Sequence, residues 1–238
     1  MNARRGPRIG LMVFAAASLS ARPVPAAEGS AATETGYNHR VKSLEEYLTL
    51  AAERHKHLCP GQVLGVRMAM LGLASLGITD PEAYAKRLVT FVEIDRCATD
   101  AVSLVTGCSL GRRSLKYMDY GKVAATFVDV ETGAAVRVSA HDDSRLKARA
   151  MFPELAKPYR QQMEAYKVMD DADLFSVRRV TVQLAPEDLP GGPRSRVNCG
   201  SCGEGINNGR EVRREGRVLC RACAGDAYYQ PAEGGKTN

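Results

Sequence analysis

Two Cys-x-x-Cys pairs, Cys199–Cys202 and Cys220–Cys223, are separated by seventeen residues, and they limit this chain's folding options more than any other feature. Four thiolates fill a tetrahedral shell, so the spacing predicts a structural zinc with no position open for substrate. A single Cys-x-x-Cys can act as a redox dithiol, but a matched pair points to metal. Between the pairs, Glu211 to Leu219 reads as a hairpin turning near Gly216. A module this small depends on its metal for folding. Just upstream, Pro186 to Pro193 is rich in Pro and Gly and lacks periodicity, as a linker would be. The expected division is an N-terminal extension (1–42), a main domain (43–185), a linker (186–197), a zinc-ribbon or treble-clef-like module (198–230) and a tail (231–238).

Seven cysteines is an odd count and does not suit a disulfide framework. Outside the zinc motif remain Cys59, Cys97 and Cys108. The formal charge of +6 suggests an acidic partner, until its distribution is followed. Arg4, Arg5, Arg8 and Arg22 stand in a stretch, 1–27, with no acid. Without them 29 basic residues face 27 acidic ones. The arginines of the zinc module are equally offset, with eight basic and seven acidic side chains over 186–238. A nucleic-acid-binding regulator is therefore the weakest functional class.

Those early arginines precede an apolar run, Ile9 to Ala17, and small residues near Val24-Pro25-Ala26-Ala27. This is the layout of a secretory signal, and the run is too short to span a bilayer. The alternative is a translated stretch ahead of the true start. Thiol-rich metal chemistry prefers a reducing compartment, so the expected location is the cytoplasm, with export as the outcome if 1–27 is a true signal.

The chemistry of the main domain gathers at His55-Lys56-His57-Leu58-Cys59-Pro60-Gly61. Imidazole and thiolate either bind a zinc-like metal or pair as base and nucleophile. Ser43-Leu44-Glu45-Glu46 is a capping box, and Leu44, Tyr47, Leu48 and Ala51 follow at helical spacing. His55 continues that stripe, which makes it a packing or capping residue and leaves His57 as the better ligand. Pro60 suits the first position of a second helix, Gly61 to Leu76, whose start would help Cys59 to ionise. Arg67, inside that apolar helix, needs a partner or an anion. Asp80-Pro81 reads as another helix start, and Leu88 to Ile94 as a strand. The strand leads to Cys97, and a helix to Thr106 would hold Cys97 and Cys108 about 13 to 16 Å apart at 1.5 Å per residue. Only one of the two can then share a metal with Cys59, and Cys97 is the expected choice. A hairpin (Val123–Val130 and Ala135–Val138), two helices (Ser144–Met151 and Pro158–Met169) and a strand (Leu174–Leu184) complete the domain. His141-Asp142-Asp143 fits a helix start better than a ligand cluster.

With these residues in view, the chain resembles the FmdE family of formylmethanofuran dehydrogenase components. The matching pieces are His55 to Gly61 with Gly65-Val66-Arg67-Met68, Glu93 to Asp100, Thr106 to Gly111, and Asp119 to Thr126. The resemblance implies an α+β fold with helices on a mainly antiparallel sheet, a homodimer, and association with molybdenum or tungsten enzymes of one-carbon metabolism. Lys56 departs from it, since the family usually has Gly between the histidines. The leading expectation is a metal-binding accessory protein with His57, Cys59 and Cys97 as ligands of a second zinc and Asp100 as outer or fourth ligand. Its rival is an enzyme acting on a small or pterin-like substrate, with Cys59 as nucleophile, His57 as base and Arg67 as anion holder.

Overall fold

The computed structural model describes residues 40–230 and 232. The signal-like stretch at 1–27 and nearly all of the 231–238 tail lie outside the described residues. Helix α1 (Leu44–His55) begins at the expected capping box, where the Ser43 N–H donates to Glu46 Oε2 at 2.8 Å and the Glu46 N–H to Ser43 Oγ at 3.3 Å. It ends at Lys56, whose φ of 66° lies in the left-handed region. Helix α2 (Pro60–Ser75) is apolar on nearly every side and accordingly buried, with Val63, Val66, Ala69 and Leu73 fully inside.

Five strands form the sheet: β1 (Leu88–Val92), β2 (Leu115–Tyr117), β3 (Ala124–Asp129), β4 (Ala135–Ala140) and β5 (Phe175–Arg179). Their order is β2-β1-β3-β4-β5, parallel between β1 and β2 and antiparallel elsewhere. Helix α3 (Cys97–Thr106) follows β1, while α4 (Ser144–Met151), α5 (Pro158–Val168) and α6 (Asp171–Leu174) lie between β4 and β5. Alternation along the strands sends Leu88, Val92, Phe127, Val136 and Val138 into the helical core. Val89, Val128 and Ala135 face the other side, covered by Phe91, Val130 and the segment carrying Val180, Val182 and Leu184.

That covering segment explains one departure from expectation. The last strand stops at Arg179 because the chain then leaves the sheet edge to cross its back face. A second departure is at Asp80-Pro81, where no helix forms. Asp80 Oδ1 does accept from the N–H groups of Glu82 and Ala83, at 2.9 and 3.3 Å. The few residues left before β1, however, suffice only for successive turns such as Tyr84 N–H to Pro81 O. Strand β2 is a third; three residues carry no readable alternation. The Asp-rich stretch at 141–143 is a helix start, since Asp143 stands at the N-cap of α4.

Two partly buried ion pairs brace the sheet. The Arg137 guanidinium forks onto Glu93 at 2.6 and 2.7 Å, just before the chain turns toward Cys97. Arg87 does the same to Asp129, and with Thr132 it holds that carboxyl down at about 2.

The C-terminal module has its own short strands, β6 (Arg196–Asn198) with β7 (Gly205–Asn207) and β8 (Val212–Arg214) with β9 (Arg217–Leu219). Glu215 and Gly216, both at positive φ, make the tight turn of the second hairpin. No helix among the described residues is long and apolar enough to cross a membrane.

Candidate metal centres

The zinc module brings Cys199, Cys202, Cys220 and Cys223 together with all four sulfurs within 4.8 Å of one another. The Cys202 and Cys220 sulfurs are 3.9 Å apart, close to the edge of a tetrahedron built on zinc–sulfur bonds of about 2.3 Å. Backbone N–H groups point at the sulfurs: Ser201 and Cys220 to Cys199 Sγ at 3.4 and 3.2 Å, and Cys223 to Cys220 Sγ at 3.3 Å. Such donors, from Cys202, Cys220 and Ser201, hold the Cys199 thiol down at about 6. They favour thiolate, the form that binds metal. Ile206, Leu219 and Ala224 pack beneath as a small core. The donor set fits one structural zinc.

A further group of thiol and imidazole side chains lies where α2 and α3 begin side by side. Gly65 makes this possible, since a Cβ there would fall 2.4 Å from Ala98 O and 2.8 Å from Ala101 Cβ. With the helices this close, Cys59 at the N-cap of α2 meets Cys97 at the first position of α3. A Cβ built on Gly61 would lie 3.4 Å from Cys97 Cβ and 3.7 Å from Cys59 Sγ, so the two cysteines flank one point. His55, at the end of α1, completes the group. Its Nε2 is 3.5 Å from Cys97 Sγ and its Nδ1 is 3.7 Å from Asp100 Oδ2. A histidine held by a carboxylate on one ring nitrogen presents the other to a metal or thiol.

His55, rather than His57, is therefore the imidazole on Cys97. Sequence periodicity put it on the packed stripe, but the stripe ends there and α3 arrives from elsewhere in the chain. His57 is exposed, with its ring centroid 4.8 Å from that of His55. The Cys59 thiol is pushed up, first by burial and also by neighbouring Cys97, although the Gln62 and Gly61 backbone N–H groups oppose this. Without a bound cation, burial thus outweighs the helix start expected to ionise it. Cys108 lies beyond the intact α3, buried and bonded to Thr90 Oγ1 and Leu88 O of β1.

Arg67 is no anion holder beside Cys59. It lies two turns along α2 and donates to Tyr166 O at 2.9 Å, to Met169 O and to Asp171 Oδ1 at 2.6 Å, fastening the end of α5. Two contributors escaped the sequence reading. Gln62 accepts from the Cys59 N–H at 3.0 Å and donates to Ala51 O at 3.1 Å, locking the Cys59 loop to α1. Tyr159 donates its hydroxyl to Leu58 O at 2.7 Å. Its phenol is pushed up by desolvation and then by the Cys59 and Cys97 thiols. Gln62 falls three residues after Cys59, the spacing of a capping box, so it was findable; Tyr159 carries no local signal.

Known proteins resemble both parts of the chain. The family model described as "FmdE, Molybdenum formylmethanofuran dehydrogenase operon" matches residues 54–178, and that of the "Prokaryotic dksA/traR C4-type zinc finger" matches 192–229. The solved structure described as a "tungsten formylmethanofuran dehydrogenase subunit e (fmde)-like protein", from Syntrophus aciditrophicus, superposes with a TM-score of 0.54. It is 26% identical, and the match covers 83% of this chain and 100% of that one. An Archaeoglobus fulgidus protein named "Probable S-adenosyl-L-methionine-binding protein" is 39% identical over 97 residues. That match takes in 40% of this chain and only 26% of the relative's length.

Proposed function

This chain belongs to the FmdE family and carries a four-cysteine zinc finger behind the family domain; from that premise we propose that it is an accessory protein to a molybdenum or tungsten enzyme of one-carbon (formylmethanofuran or formate) metabolism. Its working part is a second metal centre at the paired starts of α2 and α3. The observation that carries the reading is the meeting of Cys59, Cys97 and His55, from three helices, with Asp100 behind the imidazole. Two thiols and an imidazole are donors for zinc. Cys59, Cys97 and His55 would hold the ion, with His57, whose ring lies beside that of His55, as a further donor. When bound, the metal supplies a Lewis acid or a fixed positive charge. Asp100 keeps His55 turned toward the thiols. Gln62 and Tyr159 hold the loop and its rim.

The names of the family and of the Syntrophus protein support the molybdenum or tungsten partner. We place the protein in the cytoplasm, where thiols stay reduced, and expect a homodimer by family likeness. Sedimentation would then give twice the chain mass of 25.7 kDa.

Metal analysis of purified protein tests the reading. Wild type should hold about two equivalents of zinc-like metal. Cys59→Ala and Cys97→Ala should each lose about one, with the zinc-finger equivalent retained. A single equivalent in wild type, unchanged in both variants, rejects the core centre. Unchanged metal together with a lost turnover would favour the rival in which Cys59 is a nucleophile.

A further inference from the structure

Strand β5 ends the five-stranded sheet, and its ladder to β4 fixes which of its backbone groups are left open. The two ends of that ladder are marked by His141 N–H to Leu174 O at 2.8 Å and by Val180 N–H to Ala135 O at 3.1 Å. In an antiparallel pair, successive residues alternate between bonding the neighbour and facing away. With Ser176 opposite Ser139 and Arg178 opposite Arg137, Ser176 and Arg178 spend their N–H and C=O groups on β4. Val177 and Arg179 point theirs outward, and none of these four groups is bonded among the described residues. At the start of the strand the Phe175 N–H is already taken by Asp171 O. The opposite edge, β2, instead runs beside the zinc finger, sharing a cleft with Ile206 and Asn207.

The side chains along this edge are as unpaired as its backbone. Val177 shares the helix-side face with Phe175, yet it is 44% exposed, whereas Val138 opposite it is fully buried. Arg178 and Arg179 are exposed and have no carboxylate or other partner among the described residues. Arg137, across from Arg178, is already committed to Glu93. The acids just upstream in α6, Asp171 and Asp173, are held by Arg67 and Lys147 at 2.6 and 2.8 Å. The edge therefore carries two free positive charges beside one uncovered apolar side chain.

We propose that β5 takes an added strand from a partner protein, an extended acidic segment running antiparallel to it. Strand addition draws its affinity from main-chain hydrogen bonds and its specificity from alternate side chains. The outward N–H and C=O groups of Val177 and Arg179 supply four such bonds. An acidic residue opposite each of Arg179 and Arg178 and an apolar one opposite Val177 complete the match. Read from its N-terminus, the incoming strand is then Glu-Glu-Val. Charges on an edge strand also deter wrong pairing. A second copy of this chain, paired through the same strand, would bring two more arginines to an edge that already holds two. Like charges across a strand pair are unfavourable, so the edge selects an acidic strand over itself. None of Cys59, Cys97 and His55 takes part, so this inference goes beyond the proposed function and does not depend on it.

Fluorescence polarisation on the zinc-loaded full chain tests the proposal, using a labelled, end-blocked peptide that contains Glu-Glu-Val-Thr-Val and a Lys-Lys-Val-Thr-Val peptide as comparator. The acidic peptide should bind with a submillimolar Kd, at least about tenfold tighter than the basic one, and more weakly as salt rises. Val177→Pro removes an outward donor but leaves the β4 ladder whole, because the Val177 N–H takes no part in it. Affinity should then fall at least about tenfold, with the cooperative melt and the metal content kept. The double variant Arg178→Glu, Arg179→Glu should invert the preference, so that the basic peptide binds the tighter. This variant decides the matter if Val177→Pro does not melt cooperatively. The proposal is overturned by absent binding of the acidic peptide at about 2 mM, by equal affinity for the two peptides, by unchanged affinity in folded Val177→Pro, or by an uninverted preference in the double variant. A wild-type dimer that Val177→Pro converts to monomer also overturns it, because a second copy then fills the edge.

Discussion

Lys56 stands between the two histidines and has to adopt φ 66° for the chain to turn from α1 toward Cys59. A left-handed conformation costs an L residue about 1–2 kcal/mol. Glycine avoids that cost but loses part of the gain to its freer unfolded state. Lys56→Gly should therefore stabilise the protein by about 0.5–1 kcal/mol in urea denaturation, with metal content unchanged. A loss of stability would mean that the Lys56 side chain makes a contribution larger than the strain. The residue scale also shows where sequence reading fails. Cys59, Cys97 and both histidines were visible as chemistry-bearing types. Which imidazole meets Cys97 was not visible, because that contact spans 42 positions and depends on where α3 begins. Arg67 was likewise seen to need a partner, but its acceptors are carbonyls at the end of α5 and a carboxylate in α6, about a hundred residues away.

Among the elements, those with local signals were legible. Helix α1 has its capping box, α2 has Pro60 at its first position, α3 stops at Gly107 with φ 67°, and the β3–β4 hairpin turns through Gly133 at φ 73°. The elements missed were decided by competition for space. The Asp80-Pro81 segment is cut short by β1, β2 exists by pairing in parallel with β1, and β5 yields its second half to the back of the sheet. The most consequential element contact, α2 on α3, rests on a glycine whose role is invisible without the partner helix. Gly65→Val should force the two helices apart, since even the first carbon meets Ala98 O at 2.4 Å. Overpacking of this kind costs about 1–3 kcal/mol. If the core centre is built by that contact, the same variant should lose about one equivalent of metal while the zinc finger keeps its own. A variant that is destabilised yet fully loaded would separate the helix contact from the metal centre.

At the scale of the whole molecule, the zinc finger and the family domain are distinct in sequence and have separate small and large cores. The linker reading of 186–197 rested on composition and could not foresee that Asp188 ties back to Lys116 of β2 as well as to Arg210 of the finger. Ion pairs of this partly exposed kind are worth about 0–1 kcal/mol each. The finger's own stability is of another order, because folding so small a core is inseparable from binding its metal. Cys220→Ser should thus remove one zinc and unfold residues 198–230, seen as new proteolytic sensitivity there and lost amide protection. The 43–185 domain should keep its cooperative melt, weakened by at most about 1 kcal/mol, and keep any metal bound at Cys59 and Cys97. If both parts melt together in this variant, the finger and the family domain are one cooperative unit rather than two cores joined by weak ion pairs.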